Sequence, residues 1–294
     1  MTLHNINFKT EVKEIPKAQL EKTNDSPNYT GGFGDVWKCI YSTSSDSSLT
    51  VAIKVVRVPD ASETELLKKT AWGIRREAHV WANLKDDHVL SLHGITTGFG
   101  VLPAFVSSWM TKGSLENYLK KEPKPDLSTS LDMSRQIAFG LKYLHENDVV
   151  HGDLTPTNVL IDSDGKLRLA DFGLSLILAE SGNPTFNSCH AGNVRWMAPE
   201  MVEEQAKPTM PADVYSHGCI MLQLLCGQEP YFPLMNAFHV MTAIVRGRKP
   251  FGQLTGVDKV HEQYWLKCLS IESQDRPEVT GIVAFIETEL QKLQ

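Results

Sequence analysis

Two polar residues, Asp153 and Asn158, stand five positions apart in the stretch VVHGDLTPTNVL (149–160). Strand-like apolar residues flank them, and a Gly and a Pro lie within the stretch. A carboxylate can accept a proton and a carboxamide oxygen can bind a hard metal ion, so this loop could form a catalytic centre. The alternative is a surface turn in which Asp and Asn bond only to nearby backbone groups. The loop by itself leaves both interpretations open.

Three further motifs accompany the loop. A Gly-rich turn, YTGGFGDVW (29–37), joins two strand-like segments, and its glycines could let backbone N–H groups approach a phosphate. The stretch VAIK (51–54) places Lys54 on a buried-looking strand, where a lysine requires an anionic partner. A second turn, LADFGLS (169–175), carries Asp171. Each motif alone is a weak indication, but the four in this order are specific.

Together with MAPE at 197–200, these motifs resemble those of the eukaryotic protein kinase family over residues 28–290. The resemblance implies an α+β, bilobal fold. It has a small antiparallel-sheet N-lobe with one main helix and a larger, mainly helical C-lobe, with the site between the lobes. The stretch NVRWMAPE (193–200) leans toward tyrosine kinases or the tyrosine-kinase-like group of Ser/Thr kinases, and we expect Ser/Thr specificity.

The resemblance gives the opening loop a catalytic role. Asp153 would accept the proton of the substrate hydroxyl, and Asn158 and Asp171 would hold Mg²⁺. The flanking apolar residues would form short strands that keep the loop rigid.

The resemblance also implies an ion pair. Lys54 would contact the α- and β-phosphates of ATP and pair with an acidic residue of the following helix. Glu65 and Glu77 are the candidates, and we prefer Glu77 because the sequence after it matches the pattern that follows this helix in kinases. The alternative for Glu77 is an exposed helical residue paired with a nearby Arg.

The adenine site follows from the same resemblance. The stretch FVSSWMTKGSL (105–115) matches the kinase hinge, with Ser107 at its entrance and the backbone of 108–110 bonding the base. Three apolar residues would enclose the base, although each could equally be ordinary core. The full set of predicted ATP-binding residues is Gly31, Gly32, Gly34, Val36, Ala52, Lys54, Ser108, Met110 and Leu160.

Structural roles are implied as well. Asp213 would bond the backbone of the catalytic loop, and Arg276 would pair with Glu200. His151 is expected to be a core residue and not a proton carrier.

Three departures from the kinase pattern bear on activity. Tyr29 replaces the first glycine of the Gly-rich turn, Gly152 replaces the Arg that commonly binds an activation-loop phosphate, and Thr155 stands where Ser/Thr kinases usually have Lys. Arg195 is a candidate substitute for the missing Arg.

These departures keep a second function class open. The chain could be a pseudokinase that acts as a nucleotide-binding or scaffolding module. Retention of all five catalytic residues favours an active enzyme, because a scaffold does not need them. A small-molecule phosphotransferase is disfavoured by the APE motif and the long loop before it.

The chain divides into an N-terminal extension (1–27), expected to be irregular or peripheral, and a kinase domain (28–294). Within the domain we expect an N-lobe over 28–106, a hinge over 107–113 and a C-lobe over 114–294. Strands are predicted at 33–41, 49–58 and 100–110. Helices are predicted at 63–84, from Ser114 as N-cap, at 131–147, and from 218 onward.

The composition is that of an ordinary globular protein, with 41% hydrophobic and 22% charged residues. The net charge of −6 and the lack of a basic run argue against nucleic-acid or membrane partners, so we expect ATP and a protein substrate. Five cysteines without a Cys-x-x-Cys pair favour a reducing compartment. The N-terminus holds no signal-peptide pattern, and we therefore expect a cytoplasmic protein. The oligomeric state stays open.

Overall fold

The structure is a computed structural model that describes residues 11–31, 34–43, 47–57, 64–172, 193–202, 206–252 and 257–294. The described residues form two compact units. Unit 1 contains those up to Trp109, and unit 2 contains those from Met110 onward. The boundary falls within the predicted hinge segment of residues 107–113.

Unit 1 is an antiparallel sheet with one long helix. The strand order is β1-β3-β4-β6-β5, and β2 pairs with the free part of β3. In chain order the elements are the 3₁₀ helix Lys17–Gln19, β1 (Leu20–Lys22), β2 (Tyr29–Thr30), β3 (Gly34–Ser42), β4 (Ser48–Val56), α1 (Thr64–Asn83), β5 (Leu92–Thr96) and β6 (Ala104–Ser108).

The sheet has two different faces because side chains alternate along each strand. Cys39, Val51, Ile53 and Val106 lie in the core cluster on one face. The residues between them on β3 and β4, among them Lys54, belong to the other face. The two long strands were predicted from their density of β-branched residues, and the folded sheet adds the alternation of faces.

The helix α1 begins and ends within one residue of its predicted limits. Its buried residues recur every three or four positions, as expected for a helix that packs by one side. Trp81 packs against Phe105 of β6, with ring centroids 5.6 Å apart, and its indole N–H donates to the carbonyl of Leu90. Glu77 is buried one turn before Trp81 on this side of the helix.

The expectation of an irregular or peripheral segment before residue 28 is wrong for residues 14–22. Ile15 is only 2% exposed within the core of unit 1, and its N–H donates to the carbonyl of Ile95 (2.8 Å). β1 then pairs with β3. Sequence patterning missed this segment because isolated apolar residues in a polar stretch show no periodicity. The edge of the sheet orders the segment by supplying partners for its backbone hydrogen bonds.

Unit 2 is mainly helical and carries a small sheet in which β8 pairs with both β7 and β9. Its elements are β7 (Gly113–Ser114), α2 (Leu115–Lys121), α3 (Leu127–Glu146), β8 (Val159–Ile161), β9 (Leu167–Leu169), the 3₁₀ helices Val194–Trp196, Pro199–Val202 and Ser273–Asp275, α4 (Met210–Cys226), α5 (Ala237–Val245), α6 (Lys259–Cys268) and α7 (Val279–Lys292).

Side-chain caps set the helix starts in unit 2. The hydroxyl of Ser114 accepts from the N–H of Asn117 (3.3 Å), which confirms the predicted start of α2. α3 begins four residues before its predicted start because Asp126 caps it by accepting from the N–H of Thr129 (2.7 Å). Capping residues fix a helix start more sharply than apolar periodicity does.

The helix α4 forms the centre of unit 2 and is buried along most of its length. It starts at Thr209, whose hydroxyl accepts from the N–H of Ala212 (3.2 Å), and it ends at Gly227, which adopts the left-handed conformation. The helix therefore begins well before the predicted residue 218. None of the helices within the described ranges combines the length and the apolar character needed to cross a bilayer.

Candidate active site

The backbone of the loop that carries Asp153 is fixed by a carboxylate from α4. Asp213 is buried and accepts hydrogen bonds from the N–H groups of His151 (2.8 Å) and Gly152 (2.9 Å). The ring Nε2 of His145, at the end of α3, lies 2.9 Å from the same carboxylate. Buried N–H groups need acceptors, so Asp213 holds the loop in one conformation. The predicted role of Asp213 is confirmed.

Asp153 and Asn158 bond directly to each other inside this loop. Nδ2 of Asn158 donates to the backbone carbonyl of Asp153 (2.8 Å) and to its Oδ2 (2.9 Å). The N–H of Asn158 donates to the carbonyl of Thr155 (3.0 Å), which closes the turn just before β8. Both side chains are buried, so the interpretation as a surface turn does not hold.

A second amide reaches the same carboxylate from a distant segment. Asn193 stands immediately before the 3₁₀ helix Val194–Trp196, and its Nδ2 lies 2.8 Å from Oδ1 and 2.9 Å from Oδ2 of Asp153. Two amides therefore fix the position and the plane of this carboxylate. A carboxylate offers about four acceptor positions in all.

The hairpin of β8 and β9 brings the two predicted metal ligands to the same end of the small sheet. Val159 pairs with Leu169, and the N–H of Ala170 donates to the carbonyl of Asn158 (2.9 Å). Asp171 follows directly, with a φ of 63°. Aspartate adopts this left-handed conformation more readily than most residues, and such conformations cluster at functional sites. Strand residues form only after the loop, at β8, and not at 149–150 as expected.

The donor atoms fit a magnesium ion. Because Nδ2 of Asn158 is bonded to Asp153, its amide oxygen remains as a metal donor, and within the described residues that oxygen accepts no hydrogen bond. Asp171 supplies a carboxylate. Mg²⁺ takes hard oxygen ligands and commonly uses one or two protein carboxylates together with phosphate oxygens.

His151 is a core residue, as predicted. It is fully buried, and its ring packs edge-on against Phe172, with centroids 6.3 Å apart. Burial lowers the pKa of its imidazole, an effect that the nearby carboxylates of Asp213 and Asp171 oppose. The ring therefore favours its neutral form.

In unit 1 the sheet register places three predicted ATP-site residues on one face. Lys54 pairs with Val36 of β3, and Ala52 lies two residues before Lys54 on β4. All three are half-buried and lie on the face opposite the core cluster. In the strand register, Lys54 of β4 also lies opposite Phe105 of β6. Trp81 of α1 packs against that phenylalanine.

This register bears on the predicted partner of Lys54. Glu77 lies on the buried side of α1, one turn from Trp81, and Trp81 packs on Phe105. Glu65, the other candidate, is exposed and forms an ion pair with Lys68 at 3.0 Å. The structure therefore favours Glu77 over Glu65. Glu77 is also not the exposed residue of the alternative interpretation.

The Gly-rich turn is a tight hairpin whose described glycines bond to each other. The N–H of Gly31 donates to the carbonyl of Gly34 (2.9 Å), and the reverse bond measures 3.4 Å. A Cβ on Gly34 would lie 1.9 Å from the carbonyl oxygen of Val55, so strand packing alone requires glycine there. These two N–H groups are engaged in the hairpin and are not free for phosphate. Gly32 lies outside the described residues.

The predicted hinge is anchored to the sheet at its start. The N–H of Ser108 donates to the carbonyl of Ser91 (3.4 Å), and that of Trp109 donates to the carbonyl of Thr50 (3.2 Å). Tyr29 stands where the kinase pattern has its first glycine. Its ring stacks on that of Trp109, with the ring centroids 6.0 Å apart.

The remaining two base-site residues lie in unit 2. The N–H of Met110 has no acceptor among the described residues and remains a donor for a ligand. Leu160 alternates with the buried Val159 and Ile161 on β8 and is itself half-buried, so its side chain belongs to the other face of the small sheet.

Residues 29–286 match the family model of the protein tyrosine and serine/threonine kinases. This chain belongs to that family. The bilobal α+β kinase fold expected from the sequence is thereby confirmed, with the antiparallel sheet in unit 1 and the helical bundle in unit 2.

Several serine/threonine kinases are similar to this kinase domain. Serine/threonine-protein kinase STY46 of Arabidopsis thaliana is 30% identical over 282 residues, which are 94% of this chain and 45% of the relative. Mitogen-activated protein kinase kinase kinase 1 of Homo sapiens is 28% identical over 84% of this chain and 16% of its own length. The yeast kinase BCK1/SLK1/SSP31 is 26% identical over 95% of this chain and 18% of its own length. The chain spans less than half the length of each.

The kinase domain contains the predicted pair of Glu200 and Arg276. The guanidinium donates to both carboxylate oxygens at 2.6 and 2.7 Å and also to the carbonyl of Pro211 (2.9 Å). Its side chain is fully buried. The pair is confirmed, and its geometry is the two-pronged arrangement in which arginine cannot be replaced by lysine without loss.

Arg195 does not remain free to bind a phosphorylated residue. Its guanidinium donates to the carbonyls of Pro230 (2.8 Å) and Leu234 and lies 3.4 Å from a Glu229 oxygen. Arg195, the candidate for replacing the missing Arg, is therefore already engaged by other groups. A side chain engaged by two carbonyls and one carboxylate gains little from a further anion.

Sequence reasoning missed Asn193 as a functional residue. It is the first residue of NVRWMAPE, a motif that was used only to judge the kinase group. The available signal was an amide at the start of a segment that precedes APE. Only the folded chain shows that this amide bonds to Asp153, 40 residues away.

Proposed function

We propose that this chain is an ATP-dependent protein kinase that transfers the γ-phosphoryl group of ATP to a Ser or Thr hydroxyl of a protein. The observation that carries the proposal is the buried Asp153 carboxylate, held by Asn158 and Asn193 on a loop that Asp213 fixes. The names of the similar kinases support Ser/Thr specificity.

Asp153 is the proposed acceptor of the substrate proton. The substrate hydroxyl would donate to a carboxylate oxygen, and its proton would move to Asp153 as the hydroxyl oxygen bonds to the γ-phosphorus. The bond between that phosphorus and the bridging oxygen then breaks, and ADP leaves. The amides of Asn158 and Asn193 keep the carboxylate oxygen aimed at the substrate, so orientation is provided before the reaction begins. Mg²⁺, when bound by Asn158 and Asp171, neutralises charge on the ATP phosphates.

The remaining residues are proposed to bind ATP. In unit 1, Lys54 would contact the phosphates and Glu77 would orient it. Val36 and Ala52 would contact the base, and the N–H of Met110 and the backbone of Ser108 would bond its edge. Leu160 is likewise proposed to contact the base. Gly31, Gly32 and Gly34 are proposed to form the turn over the phosphates.

The pseudokinase alternative receives less support. The five residues Lys54, Glu77, Asp153, Asn158 and Asp171 are present together, and the named relatives are kinases. A cytoplasmic location is proposed from the cysteine pattern. The cysteines that the structure describes, at positions 39, 219, 226 and 268, are free thiols.

A radiolabelled ATP assay with generic Ser/Thr and Tyr substrates tests the function. We expect the wild type to label Ser/Thr substrates and Asp153→Asn to lose activity by about 10²-fold or more, because the base is removed while the size is kept. Asp164→Asn, an exposed carboxylate in unit 2, is the matched control and should keep full activity.

Each other result has a defined meaning. Equal activity of Asp153→Asn and wild type would contradict the proposed base. Labelling of tyrosine alone would overturn the Ser/Thr assignment. ATP binding without any transfer to protein would establish the pseudokinase alternative.

A further inference from the structure

A contact between two aromatic rings joins the Gly-rich turn to the hinge segment within unit 1. Tyr29 lies on β2, and Trp109 directly follows β6. Their rings stack with the centroids 6.0 Å apart and an angle of 28° between the planes. We use the term aromatic pair for Tyr29 and Trp109.

The register of the sheet places the Tyr29 ring on the proposed nucleotide-binding face. Tyr29 lies opposite Val36 of β3, and Val36 lies opposite Lys54 of β4. Residues that are directly opposite each other in antiparallel strands project their side chains from the same face of the sheet. The Tyr29 ring therefore belongs to the face with Val36, the proposed contact of the base, and Lys54, the proposed contact of the phosphates.

Trp109 is the anchored member of the aromatic pair. Its N–H donates to the carbonyl of Thr50 (3.2 Å), and the ammonium of Lys38 lies 5.3 Å from the centroid of its ring. A cation over the face of an indole is attracted to it, which adds to the anchoring. In the sequence Trp109 stands between Ser108 and Met110, whose backbone groups are the proposed partners of the base edge. The indole therefore marks the hinge side of the base site.

Tyr29 is the movable member. Its strand, β2, has only two residues, both of them exposed, and within the described residues β2 pairs with β3 alone. The side chain of Tyr29 is itself half in solvent, with the residue 50% exposed. Short exposed segments at the margin of a sheet open at low cost in free energy. The Tyr29 ring can therefore leave Trp109 without any rearrangement of β3 or β4.

We propose that the aromatic pair is a gate that sets the rates at which a nucleotide enters and leaves the base site. The gate rests on the proposed function, because it requires a nucleotide site on this face of unit 1. The rings separate to let the nucleotide pass, and they stack again both in the free protein and over the bound nucleotide. A gate that closes equally in both states slows association and dissociation by the same factor and leaves the affinity unchanged.

The strength of a stacked aromatic pair limits the size of this effect. Such a pair can favour the closed arrangement by up to about tenfold, which corresponds to about 1.4 kcal/mol. Glycine, which the kinase pattern has at the position of Tyr29, has no ring to stack. The gate is therefore a feature of this chain and not of the pattern.

A direct contact between the Tyr29 ring and the base is the alternative role. In that case the ring would slow dissociation alone, and its loss would weaken the affinity. The stack favours the gate, because the ring of Trp109 already provides the partner for the Tyr29 ring.

Binding rates test the gate without any need for catalysis. The probe is the fluorescent N-methylanthraniloyl derivative of ATP, mixed with protein and Mg²⁺ in a stopped-flow instrument. Tyr29→Leu and Trp109→Leu each remove one ring and keep an apolar side chain. We expect each variant to raise the association and dissociation rate constants about fivefold, with the Kd within about twofold of the wild type. The double variant should be no faster than either single variant, because one substitution already removes the stack.

Two control variants separate the stack from other effects of substitution. Tyr29→Phe keeps the ring and should retain the wild-type rates. Trp72→Leu removes a ring from the exposed surface of α1, where Trp72 is 63% exposed, and should also leave both rates unchanged. If Trp109→Leu lowers the Tm strongly, the comparison of Tyr29→Leu with Tyr29→Phe decides alone.

Four results would overturn the gate. Faster dissociation alone, with weaker binding, would assign the Tyr29 ring to a direct contact with the nucleotide. Faster association alone, with tighter binding, would show that the ring obstructs the site. Unchanged rates in Tyr29→Leu would show that the stack takes no part in exchange, and a lack of nucleotide binding by the wild type and the variants would remove the site itself.

Phosphoryl transfer to a Ser/Thr peptide is measured separately on the same proteins. If the binding rates change as expected but no peptide is labelled, the proposed function fails while the gate stands. If the peptide is labelled and the binding rates of Tyr29→Leu equal those of the wild type, the gate fails while the proposed function stands.

Discussion

Two neutral amides, from Asn158 and Asn193, donate hydrogen bonds to the Asp153 carboxylate. Asn158 belongs to the same loop, whereas Asn193 comes from the segment that precedes APE. The second amide thus makes the orientation of the proposed base depend on how a distant segment folds. Thr155, which was expected to replace the Lys usual in Ser/Thr kinases, is buried, and its hydroxyl has no partner among the described residues.

Asn193 is expected to act as a positioning residue. Asn193→Ala should lower kcat about tenfold and leave the KM for peptide nearly unchanged, because the carboxylate loses orientation and the substrate loses no contact. Asn193→Asp should lower kcat further, since a second carboxylate would lie within 3 Å of Asp153. Steady-state kinetics check both variants. A higher kcat for Asn193→Asp than for Asn193→Ala would indicate that position 193 needs only a side chain of this size and not an amide donor.

Asp171 is expected to bind ATP through the metal. Asp171→Asn should keep the fold, because asparagine also tolerates a φ of 63°. The thermal shift caused by ATP with Mg²⁺ should fall strongly, whereas the shift caused by adenosine should stay the same. Differential scanning fluorimetry with and without Mg²⁺ measures this. An unchanged shift with Mg²⁺ and ATP would argue against the metal role.

At the scale of elements, the two hairpins do the positioning. The pairing of β3 with β4 aligns Val36 with Lys54, and the pairing of β8 with β9 aligns the residues that flank Asn158 and Asp171. Both alignments are set by backbone hydrogen bonds, so a local distortion of either hairpin moves the site residues together.

The two described glycines of the turn are expected to differ in their tolerance of a side chain. Gly34→Ala should lower the free energy of unfolding by about 2 kcal/mol or more, because its Cβ would meet the Val55 carbonyl at 1.9 Å and its φ is 150°. Gly31→Ala is the matched control, since nothing lies within 4 Å of its Cβ, and it should cost less than about 1 kcal/mol. Urea unfolding monitored by tryptophan fluorescence compares them. Equal losses would show that the strand contact is not the cause.

At the scale of the whole molecule, buried histidines couple stability to pH. His217 of α4 is fully buried, and its Nε2 lies 3.1 Å from the carbonyl oxygen of Ser134 on α3. Burial lowers the pKa of its imidazole to about 4, a shift that the Ser134 carbonyl partly opposes. The folded state therefore keeps this ring neutral at pH values where the unfolded chain takes up a proton.

Stability should accordingly fall as the pH drops below about 6.5 toward 4. In this window His217 makes the unfolded state bind more protons than the folded state, at a cost of up to about 1.4 kcal/mol per pH unit. Urea unfolding at pH 7, 6 and 5 gives the slope, and His217→Gln should reduce it. As a control, His239→Gln on the exposed surface of α5 should leave the slope unchanged. Identical slopes in all three proteins would contradict the assignment to His217.

The sequence alone was sufficient for the elements whose signal is local. β3 and β4 follow from their β-branched residues, α1 follows from helical periodicity, and Ser114 marks the start of α2. The catalytic motifs could be identified because their residue types and order are themselves the signal. The family resemblance predicted that Asp213 bonds to the catalytic loop and that Arg276 pairs with Glu200. The folded chain contains both interactions.

Contacts between distant segments were decided only by the tertiary structure. Ile15 joins the core because the edge of the sheet offers it hydrogen bonds, and Asn193 reaches Asp153 because the 3₁₀ helix after it is anchored at Arg195. The hydrogen bonds that Arg195 donates to distant carbonyls were decided in the same way. Periodicity and motifs report on neighbours along the chain, whereas burial, free donors and uncovered surfaces depend on which segments the fold brings together.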